Sequence, residues 1–495
     1  MTSVAVAADS PSPELVEKSN ACKALGNELF KGSKYSQAIQ AYTDGISILP
    51  TAVLYSNRSF CFLKTESFGL AIADAKSAIG LDSTYVKAHY RLASAQLALG
   101  KVKQAYKIFR AVCKLRPKDK DARKKMKYCD SELKRAAFEK AIASEKGATP
   151  SQTLDISKIE VPGSYDGPKW EGDKPITLEF VKEMIEHMRS QKVLHRKYTI
   201  KILLECIKYF KKLPSLVDVS FGGEGGDAAA NPDAKRFNVC GDTHGQYYDV
   251  LNIFEINGMP SPENPYLFNG DFVDRGSFSV EVVMTFFAFK LLYPKSFYMA
   301  RGNHETVAMN KVYGFTGEVK HKYDDNVMGL FTEVFQWLPL AHVINQKVFV
   351  VHGGLFKDEN VKLDDIRKVV RNREPPESGI MSDILWADPQ PFKGRGPSKR
   401  GVGLSFGPDV TAQFLADNGL EMVVRSHEVR DEGFLVEHDG KLVTIFSAPN
   451  YCDQMGNKGG IIHFTPDMKP TYVKFTAVAH PPIRPMAYAG NMFGF

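Results

Sequence analysis

Residues 241–246 read GDTHGQ and place Asp242 and His244 two positions apart, between glycines. The residues just before them end in FNVC at 237–240, a short apolar run that favours a β-strand. A polar turn would account for this stretch taken alone. An Asp-x-His pair at the end of a strand is also a source of metal ligands, so the other strand ends have to be compared with it.

Four further stretches place polar residues directly after an apolar, strand-like run. NGDFVDRG at 269–276 follows PYLF, RGNHE at 301–305 follows SFYMA, and the histidines of VFVVHGG and VVRSHE follow runs of their own. Polar residues at the ends of several strands build sites at one edge of a sheet. The candidate metal ligands that result are Asp242, His244, Asp271, Asn303, His352 and His427. Oxygen and imidazole donors together suit Mn²⁺, Fe or Zn²⁺, and Asp271 could bridge two ions.

These motifs, together with LWADP, KRG and SAPNYCD, resemble the calcineurin-like metallophosphoesterases. Within them they resemble the phosphoprotein phosphatase family of serine/threonine phosphatases, over residues 177–480. The resemblance implies an α/β domain, a β-sandwich with flanking helices, that holds two divalent metal ions. Mn²⁺ is expected in vitro, with Fe, Zn²⁺ or Mg²⁺ as alternatives. One ion would be held by Asp242, His244 and Asp271, and the other by Asp271, Asn303, His352 and His427.

The same resemblance implies hydrolysis of phosphoserine and phosphothreonine by direct attack of a water activated by both metals. His304 is the expected proton donor to the leaving alkoxide, and Asp274 would orient it. The phosphoryl oxygens would be bound by Arg275, Asn303, His304, Arg400 and Tyr451. Arg400, taken by itself in SKRGVG, also reads as a charge on a surface loop.

The first third of the chain repeats with a period of 33 to 34 residues. Ala38, Ala71 and Ala105 occupy equivalent places in three segments, each with helical apolar spacing on both sides of a polar break. This pattern resembles the tetratricopeptide repeat. It predicts an all-α array of three repeats over residues 19–120, a disordered N-terminus at 1–18 and a capping helix at 121–150.

Residues 1–150 have a net charge of +11 and the rest of the chain −4, so an acidic partner is expected for the repeats. The resemblance implies a clamp for a peptide carboxylate, which would bind the acidic C-terminal tail of a heat-shock chaperone of the ninety-kilodalton class. The alternative is a solvated basic face. The clamp residues are Lys23, Asn27, Asn57, Lys87 and Arg91.

Three other segments have weaker patterns. Residues 151–176 are predicted to be a linker that carries one short strand at most, 221–234 a flexible loop, and 481–495 a C-terminal regulatory tail or a disordered end. The resemblance implies that the repeats shade the active site, with Glu66 as a contact and the tail as a support. A chaperone tail, or a fatty acid, would then act as activator.

The 495 residues include seven cysteines without CxxC pairs, and no signal peptide or membrane span is recognisable. A cytoplasmic and nuclear monomer that neither binds nucleic acid nor inserts stably into a membrane is therefore expected. Two rival functions remain: a catalytically weak chaperone-docking scaffold, and a nucleic-acid phosphodiesterase. The intact ligand set speaks against the scaffold, and the acidic balance of residues 151–495 speaks against the phosphodiesterase.

Overall fold

The computed structural model describes residues 12–32, 34–143, 149–170, 174–222 and 231–489. These form two compact units. The first contains residues 12–143 together with 399–402, and the second contains the described parts of 149–398 and 403–489. No helix among the described residues is both long and apolar enough to cross a membrane.

The first unit is an array of helices that pack in consecutive pairs, followed by one longer helix. The equivalent alanines Ala38, Ala71 and Ala105 are fully buried, because a small side chain lets neighbouring helices approach closely. The all-α repeat fold predicted for this part is confirmed. The helices are α1 Pro13–Lys31, α2 Tyr35–Ile48, α3 Ala52–Lys64, α4 Phe68–Leu81, α5 Val86–Ala98, α6 Val102–Leu115 and α7 Lys120–Ala143.

The first helix begins at Pro13, inside the predicted disordered N-terminus of 1–18. The Ser12 side chain accepts a hydrogen bond from the backbone N–H of Leu15, and Pro13 and Glu14 occupy the first turn. A serine cap, an early proline and an early acidic residue together are a strong start signal. Residues 1–11 of the predicted disordered segment lie outside the described residues.

The predicted linker is a packed part of the second unit. It contains a short helix, α8 Pro150–Thr153, and a 3₁₀ turn, Ile156–Lys158, with no strand in its described residues. The Ser151 hydroxyl donates to Glu333 Oε1 at 2.8 Å. Apolar side chains between Leu154 and Trp170 cover the helical side of the second unit. Their burial explains why this segment does not behave as a free linker.

The second unit is an α/β domain whose two mixed sheets face each other. Its helices are α9 Leu178–Arg189, α10 Arg196–Phe210, α11 Tyr247–Asn257, α12 Ser279–Leu292, α13 Val307–Tyr313, α14 Phe315–Lys322, α15 Asp325–Trp337, α16 Leu363–Arg367, α17 Ile380–Trp386 and α18 Pro408–Asn418. Its strands are β1 Leu216–Val219, β2 Phe237–Cys240, β3 Tyr266–Phe268, β4 Phe297–Met299, β5 Ala341–Ile344, β6 Val348–Val351, β7 Asp388–Pro389, β8 Arg395–Pro397, β9 Leu404–Phe406, β10 Met422–Arg425, β11 Phe434–Glu437, β12 Leu442–Ile445, β13 Gly459–Phe464 and β14 Pro470–Phe475.

One sheet has the strand order β1-β5-β6-β10-β12-β11, the other β14-β13-β2-β3-β4, and β7-β9-β8 form a small third sheet. Alternate side chains of β6 show why the large sheets stack: Val348 and Val350 lie in the core between the sheets, while Phe349 and Val351 lie in the core under the outer helices. This four-layer arrangement confirms the predicted β-sandwich with flanking helices.

Only the ends of the predicted loop at 221–234 fall in the described residues; 223–230 lie outside them. Phe221 and Asn231 form an isolated β-bridge, and Phe221 and Ala234 are buried. Both ends of the insertion are therefore anchored in the sandwich.

Candidate active site

Each polar motif of the sequence analysis directly follows a strand, and the pairing of these strands brings the motifs together. β2, β3 and β4 run parallel side by side, and β6 and β10 run parallel in the facing sheet. Five non-glycine residues directly after these strands have positive φ: His244, Asp271, Asp274, Arg275 and His427, with φ between 41° and 72°. Such backbone conformations are uncommon outside glycine and concentrate at functional sites. Both sheets thus contribute tight turns to one end of the sandwich.

The predicted metal ligands converge there. Asp271 is common to two groups of side chains whose ligand atoms lie within 4.8 Å of one another: Asp271 with His244 and His304, and Asp271 with His352 and His427. His352 Nε2 lies 2.9 Å from Asn303 Oδ1 and 3.2 Å from His427 Nδ1. Asp242 Oδ2 lies 3.7 Å from His244 Nε2. A carboxylate shared by two groups has the position required of a bridging ligand.

The chemistry of these donors fits divalent cations. All six side chains are buried, and burial raises the pKa of Asp242 to about 8, with the neighbouring Asp271 carboxylate adding to the rise. Burial also lowers the pKa of His244 and His352, so their imidazoles remain neutral donors. Burial and the neighbouring carboxylate therefore make the ionised form of Asp242 costly, and a bound divalent cation would offset that cost.

A second pair of side chains lies next to this cluster. His304 Nδ1 lies 2.9 Å from Asp274 Oδ2, and the two imidazole rings of His304 and His244 are 4.8 Å apart. Asp274 also accepts hydrogen bonds from the Asn310 amide at 3.1 Å and from the Phe315 backbone N–H at 2.9 Å. The carboxylate is therefore held from three directions and can orient the ring of His304.

The predicted phosphate-binding residues divide into two groups. Arg275 is 4% exposed and directly follows Asp274, and the Tyr451 ring lies 5.1 Å from the His244 ring. Asn303 and His304 belong to the cluster itself. Arg400 lies in the turn at 399–402, which is grouped with the repeat unit, outside the unit that contains the cluster. Its role stays a prediction.

Sequence reasoning missed Glu305, the last residue of RGNHE. Its carboxylate is fully buried and accepts hydrogen bonds from the backbone N–H groups of Asp271 at 2.9 Å, Phe272 at 2.8 Å and Gly302 at 2.8 Å. Glu305 therefore ties the turn after β3 to the turn after β4. The signal available in the sequence was a charged residue directly after Asn303 and His304, the two residues of this motif that had been assigned to the site.

Comparisons with known proteins agree with this arrangement. The calcineurin-like phosphoesterase family model matches residues 235–431, and the model described as the PPP5 TPR repeat region matches residues 126–218. Human serine/threonine-protein phosphatase 5 is 50% identical over 485 residues, which cover 97% of this chain and 95% of the human protein. Serine/threonine-protein phosphatase T of Trypanosoma brucei brucei is 51% identical and covers 96% of this chain and 98% of its own.

The chain belongs to the serine/threonine-protein phosphatase 5 family. A solved structure of a protein serine/threonine phosphatase from Saccharomyces cerevisiae, described as similar to human phosphatase PP5, matches with a TM-score of 0.60 and 44% identity. It covers 63% of this chain and 100% of its own. The predicted resemblance to serine/threonine phosphatases with tetratricopeptide repeats is confirmed. A metallophosphoesterase domain implies divalent metal ions, and the buried cluster contains the residue groups that could hold them.

In the repeat unit of this family member, the predicted clamp residues lie on three helices. Asn27 Oδ1 accepts hydrogen bonds from the Asn57 amide at 3.1 Å and from the Tyr42 hydroxyl at 2.7 Å, which links α1 to α2 and α3. Lys23 Nζ donates to Asn20 Oδ1 at 2.7 Å, and Lys87 is exposed on α5.

Arg91 differs from the other clamp residues. Its guanidinium lies 3.4 Å from the centre of the Phe60 ring, and burial lowers its pKa to about 10. The Phe60 ring in turn lies 4.8 Å from the Phe30 ring. Arg91 is therefore built into an aromatic column that sequence reasoning did not anticipate, so replacing it disturbs packing as well as charge.

The described part of the predicted tail, residues 481–489, is ordered against the catalytic domain. Ser277 Oγ donates to the Arg484 carbonyl at 2.7 Å, and the Met486 N–H donates to the Arg275 carbonyl at 2.7 Å. A side chain at Gly317 would place its Cβ 2.1 Å from the Tyr488 carbonyl oxygen, so glycine is needed there. The alternative of a disordered end is wrong for 481–489, and 490–495 lie outside the described residues.

Glu66 lies in the turn between α3 and α4 with a positive φ of 58°. Its backbone N–H donates to the Leu63 carbonyl at 3.3 Å, which closes the turn after α3. Its role as an autoinhibitory contact stays a prediction.

Proposed function

We propose that this chain hydrolyses phosphoserine and phosphothreonine in proteins, through direct attack of water on phosphorus. The observation that supports this most strongly is the buried cluster in which Asp271 joins two groups of candidate metal-ligand side chains beside the His304–Asp274 pair. Metal ligands alone would suit many hydrolases. A positioned proton donor next to them suits a reaction whose leaving group is an alkoxide.

When bound, two divalent ions would supply charge neutralisation and an acidified water. Asp242, His244 and Asp271 would hold one ion, and Asp271, Asn303, His352 and His427 the other. Mn²⁺ is the ion expected in vitro.

The side chains of this chain perform the remaining steps. Asp274 accepts a hydrogen bond from Nδ1–H of the protonated His304 ring. Nε2 then gives its proton to the serine or threonine oxygen as the phosphorus–oxygen bond breaks. Arg275 and Arg400 bind the phosphoryl oxygens, because a guanidinium offers paired N–H donors to them, and Tyr451 adds a further hydrogen bond. A water molecule that takes the place of the released alcohol returns a proton to His304 Nε2, so His304 and Asp274 regain their starting protonation.

The decisive experiment measures phosphate release from a phosphoserine peptide, with metal analysis of the same preparation. A cyclic nucleotide and single-stranded DNA serve as the comparison substrates. Hydrolysis of the peptide alone, lost on chelation and restored by Mn²⁺, is the expected result. Cleavage of the DNA or the cyclic nucleotide with no action on the peptide would favour the phosphodiesterase. Full metal occupancy with no hydrolysis of any substrate would favour the scaffold.

We further propose that the repeats dock the acidic, carboxylate-terminated tail of a chaperone of the ninety-kilodalton class. The support is the exposed Lys87 and the Asn27–Asn57 pair on helices whose overall charge is strongly basic. Amide and ammonium donors complement a peptide terminus that presents two carboxylates.

Autoinhibition is the last part of the proposal: the repeats shade the metal cluster, with Glu66 as a contact and the tail as a support. Binding of a chaperone tail or a fatty acid would then favour the open form, by its differential affinity for the two forms. The tail's hydrogen bond to the Arg275 carbonyl supports a link between the C-terminus and a phosphate-binding residue. A monomer active in the cytoplasm and nucleus is consistent with this regulation.

A further inference from the structure

Tyr313, the last residue of α13, has no assigned part in the reaction. It is 1% exposed, although it lies next to two residues of the proposed reaction. The Arg275 guanidinium carbon lies 3.8 Å from the centre of the Tyr313 ring. The Tyr313 ring also lies 5.1 Å from the His304 ring, at an interplanar angle of 51°. One aromatic side chain therefore touches both the phosphate-binding arginine and the proton donor.

Arg275 and Tyr313 are also joined through their backbones. The Arg275 N–H donates to the Tyr313 carbonyl at 3.0 Å, while Arg275 itself has a φ of 70°. The positive φ sets the direction in which the Arg275 side chain leaves the turn, and the hydrogen bond holds that turn against the end of α13. The ring and the carbonyl of Tyr313 thus restrain the same arginine at its two ends.

The short distance between guanidinium and ring has a consequence for binding. A guanidinium that lies over a ring face is attracted by the ring quadrupole, and its five N–H groups lie in its own plane. The ring occupies one face of that plane, so the guanidinium makes its hydrogen bonds at the N–H edge. There Nη1 donates to Met486 Sδ at 4.0 Å, a weak contact that the phosphoryl oxygens would replace. A freely rotating arginine would lose conformational entropy on binding phosphate, whereas one restrained in advance loses less.

The neighbouring residues of α13 and α14 hold the other half of the site. Asn310 donates to both the Asp274 carboxylate and the His304 carbonyl, and the Phe315 N–H donates to Asp274. Residues 310–315 therefore contact three groups of the proposed reaction: the orienting carboxylate, the proton donor and the phosphate-binding arginine. Tyr313 is the member of this segment that meets the arginine.

We propose that Tyr313 is a positioning residue that holds the Arg275 guanidinium in the orientation that binds the phosphoryl group. This rests on the proposed phosphatase function, in which Arg275 binds phosphate. A purely structural tyrosine would affect the yield and thermal stability of the protein. A positioning tyrosine also changes the affinity of each folded molecule for phosphate.

The test uses the full chain loaded with Mn²⁺ and inorganic phosphate as a competitive inhibitor of aryl phosphate hydrolysis. Tyr313→Leu removes the ring face and is expected to raise the phosphate inhibition constant and the KM by about 5- to 30-fold. Tyr313→Phe keeps the ring and is expected to hold both constants within about twofold, and Tyr313→His, with a smaller ring, to give an intermediate value. Both constants are independent of the fraction of protein that folds.

Two controls separate positioning from general packing. Tyr209→Leu removes a partly buried ring elsewhere in the same domain and is expected to leave the phosphate inhibition constant unchanged. In an Arg275→Ala background, Tyr313→Leu should add little, because the two residues act through one contact. If Tyr313→Leu fails to fold, the comparison of Tyr313→His with Tyr313→Phe gives the same answer.

The proposal is overturned if Tyr313→Leu, or Tyr313→His in its place, binds phosphate like the wild type. Full additivity with Arg275→Ala would overturn it equally. Failure of the phosphatase function looks different: the wild type itself would then release no phosphate from the phosphopeptide, and metal content would be normal.

Discussion

His304 Nδ1 lies 2.9 Å from Asp274 Oδ2, and both side chains are buried beside the metal cluster. A carboxylate at this distance accepts the Nδ1 proton and thereby fixes which nitrogen of the ring remains for chemistry. The Asn310 amide and the Phe315 N–H hold the carboxylate in place. In the proposed reaction this pair governs proton transfer, and this role can be tested apart from metal binding.

Replacing His304 with Asn should remove the proton donor and leave the metal ligands in place. We expect kcat to fall by about 10²–10⁴, the usual contribution of a positioned acid, with metal content near that of the wild type. Elemental analysis and turnover on a phosphopeptide measure the two effects. Asp274→Asn should lower kcat as well. Normal turnover by His304→Asn would show that another group protonates the alkoxide.

Replacing Glu305 with Gln should weaken metal binding without removing a ligand. An amide keeps one acceptor oxygen but puts an NH₂ donor against at least one of the three backbone N–H groups from which Glu305 now accepts hydrogen bonds. This mismatch loosens the turns that contain Asp271 and Asn303. We expect the metal dissociation constant, measured against a competing chelator, to rise by about 10- to 100-fold. Glu333→Gln, a change at another buried carboxylate, is the matched control and should bind metal normally.

Replacing Lys87 with Glu should abolish binding of an acidic, carboxylate-terminated peptide to the repeats, measured by calorimetry. Lys87 is the better site for this change because it is exposed, whereas Arg91 packs against Phe60. Lys76→Glu makes the same charge change on the exposed surface of α4 and should retain binding. Hydrolysis of a small aryl phosphate should survive both changes. Equal peptide affinity in the Lys87 and Lys76 variants would rule out the clamp.

Removing residues 1–146 should raise kcat severalfold or more on both phosphopeptide and aryl phosphate, if the repeats shade the site. This boundary keeps α8, in which the Ser151 hydroxyl donates a hydrogen bond to Glu333. Glu66→Ala in the full chain should act in the same direction. Both proteins are compared with the wild type at matched metal occupancy. If the truncated protein is no faster, the repeats only tether the enzyme to its partner.

The buried His342 on β5 should make the folded protein less stable in acid. Burial, with the nearby Lys290 ammonium, lowers the pKa of His342 to about 3. Below about pH 6.5 the unfolded chain binds a proton that the folded state excludes, so this residue reduces stability as the pH falls, by about 1.4 kcal/mol per unit. Between pH 6.5 and 4.5, the free energy of unfolding of His342→Phe should therefore fall by on the order of 2–3 kcal/mol less than that of the wild type.

Chemical denaturation of the metal-free proteins at both pH values measures this difference, and metal loss then affects neither protein. If the free energy of unfolding changed equally with pH in the two proteins, His342 would be protonated in the folded state, and the prediction would be wrong.

The repeat array and the metal ligands could be predicted from the sequence because their patterns are local. The alanines at 38, 71 and 105 mark a helical period, and each ligand follows directly after an apolar strand. The role of residues 151–176 could not be predicted, because their Gly, Pro and Ser content is typical of a linker. Their few apolar side chains between Leu154 and Trp170 are partly buried only because the helical face of the catalytic domain lies beside them.

The sequence alone therefore determined the two kinds of domain and the chemical identity of the site, since both depend on spacing along the chain. The tertiary structure decided which side chains meet. Asp242 Oδ1 accepts a hydrogen bond from the His427 N–H across 185 residues of sequence, Glu305 joins two turns through three backbone N–H groups, and Tyr313 lies under Arg275. Contacts of this kind depend on how two sheets stack and how turns pack, and no local pattern encodes those distances.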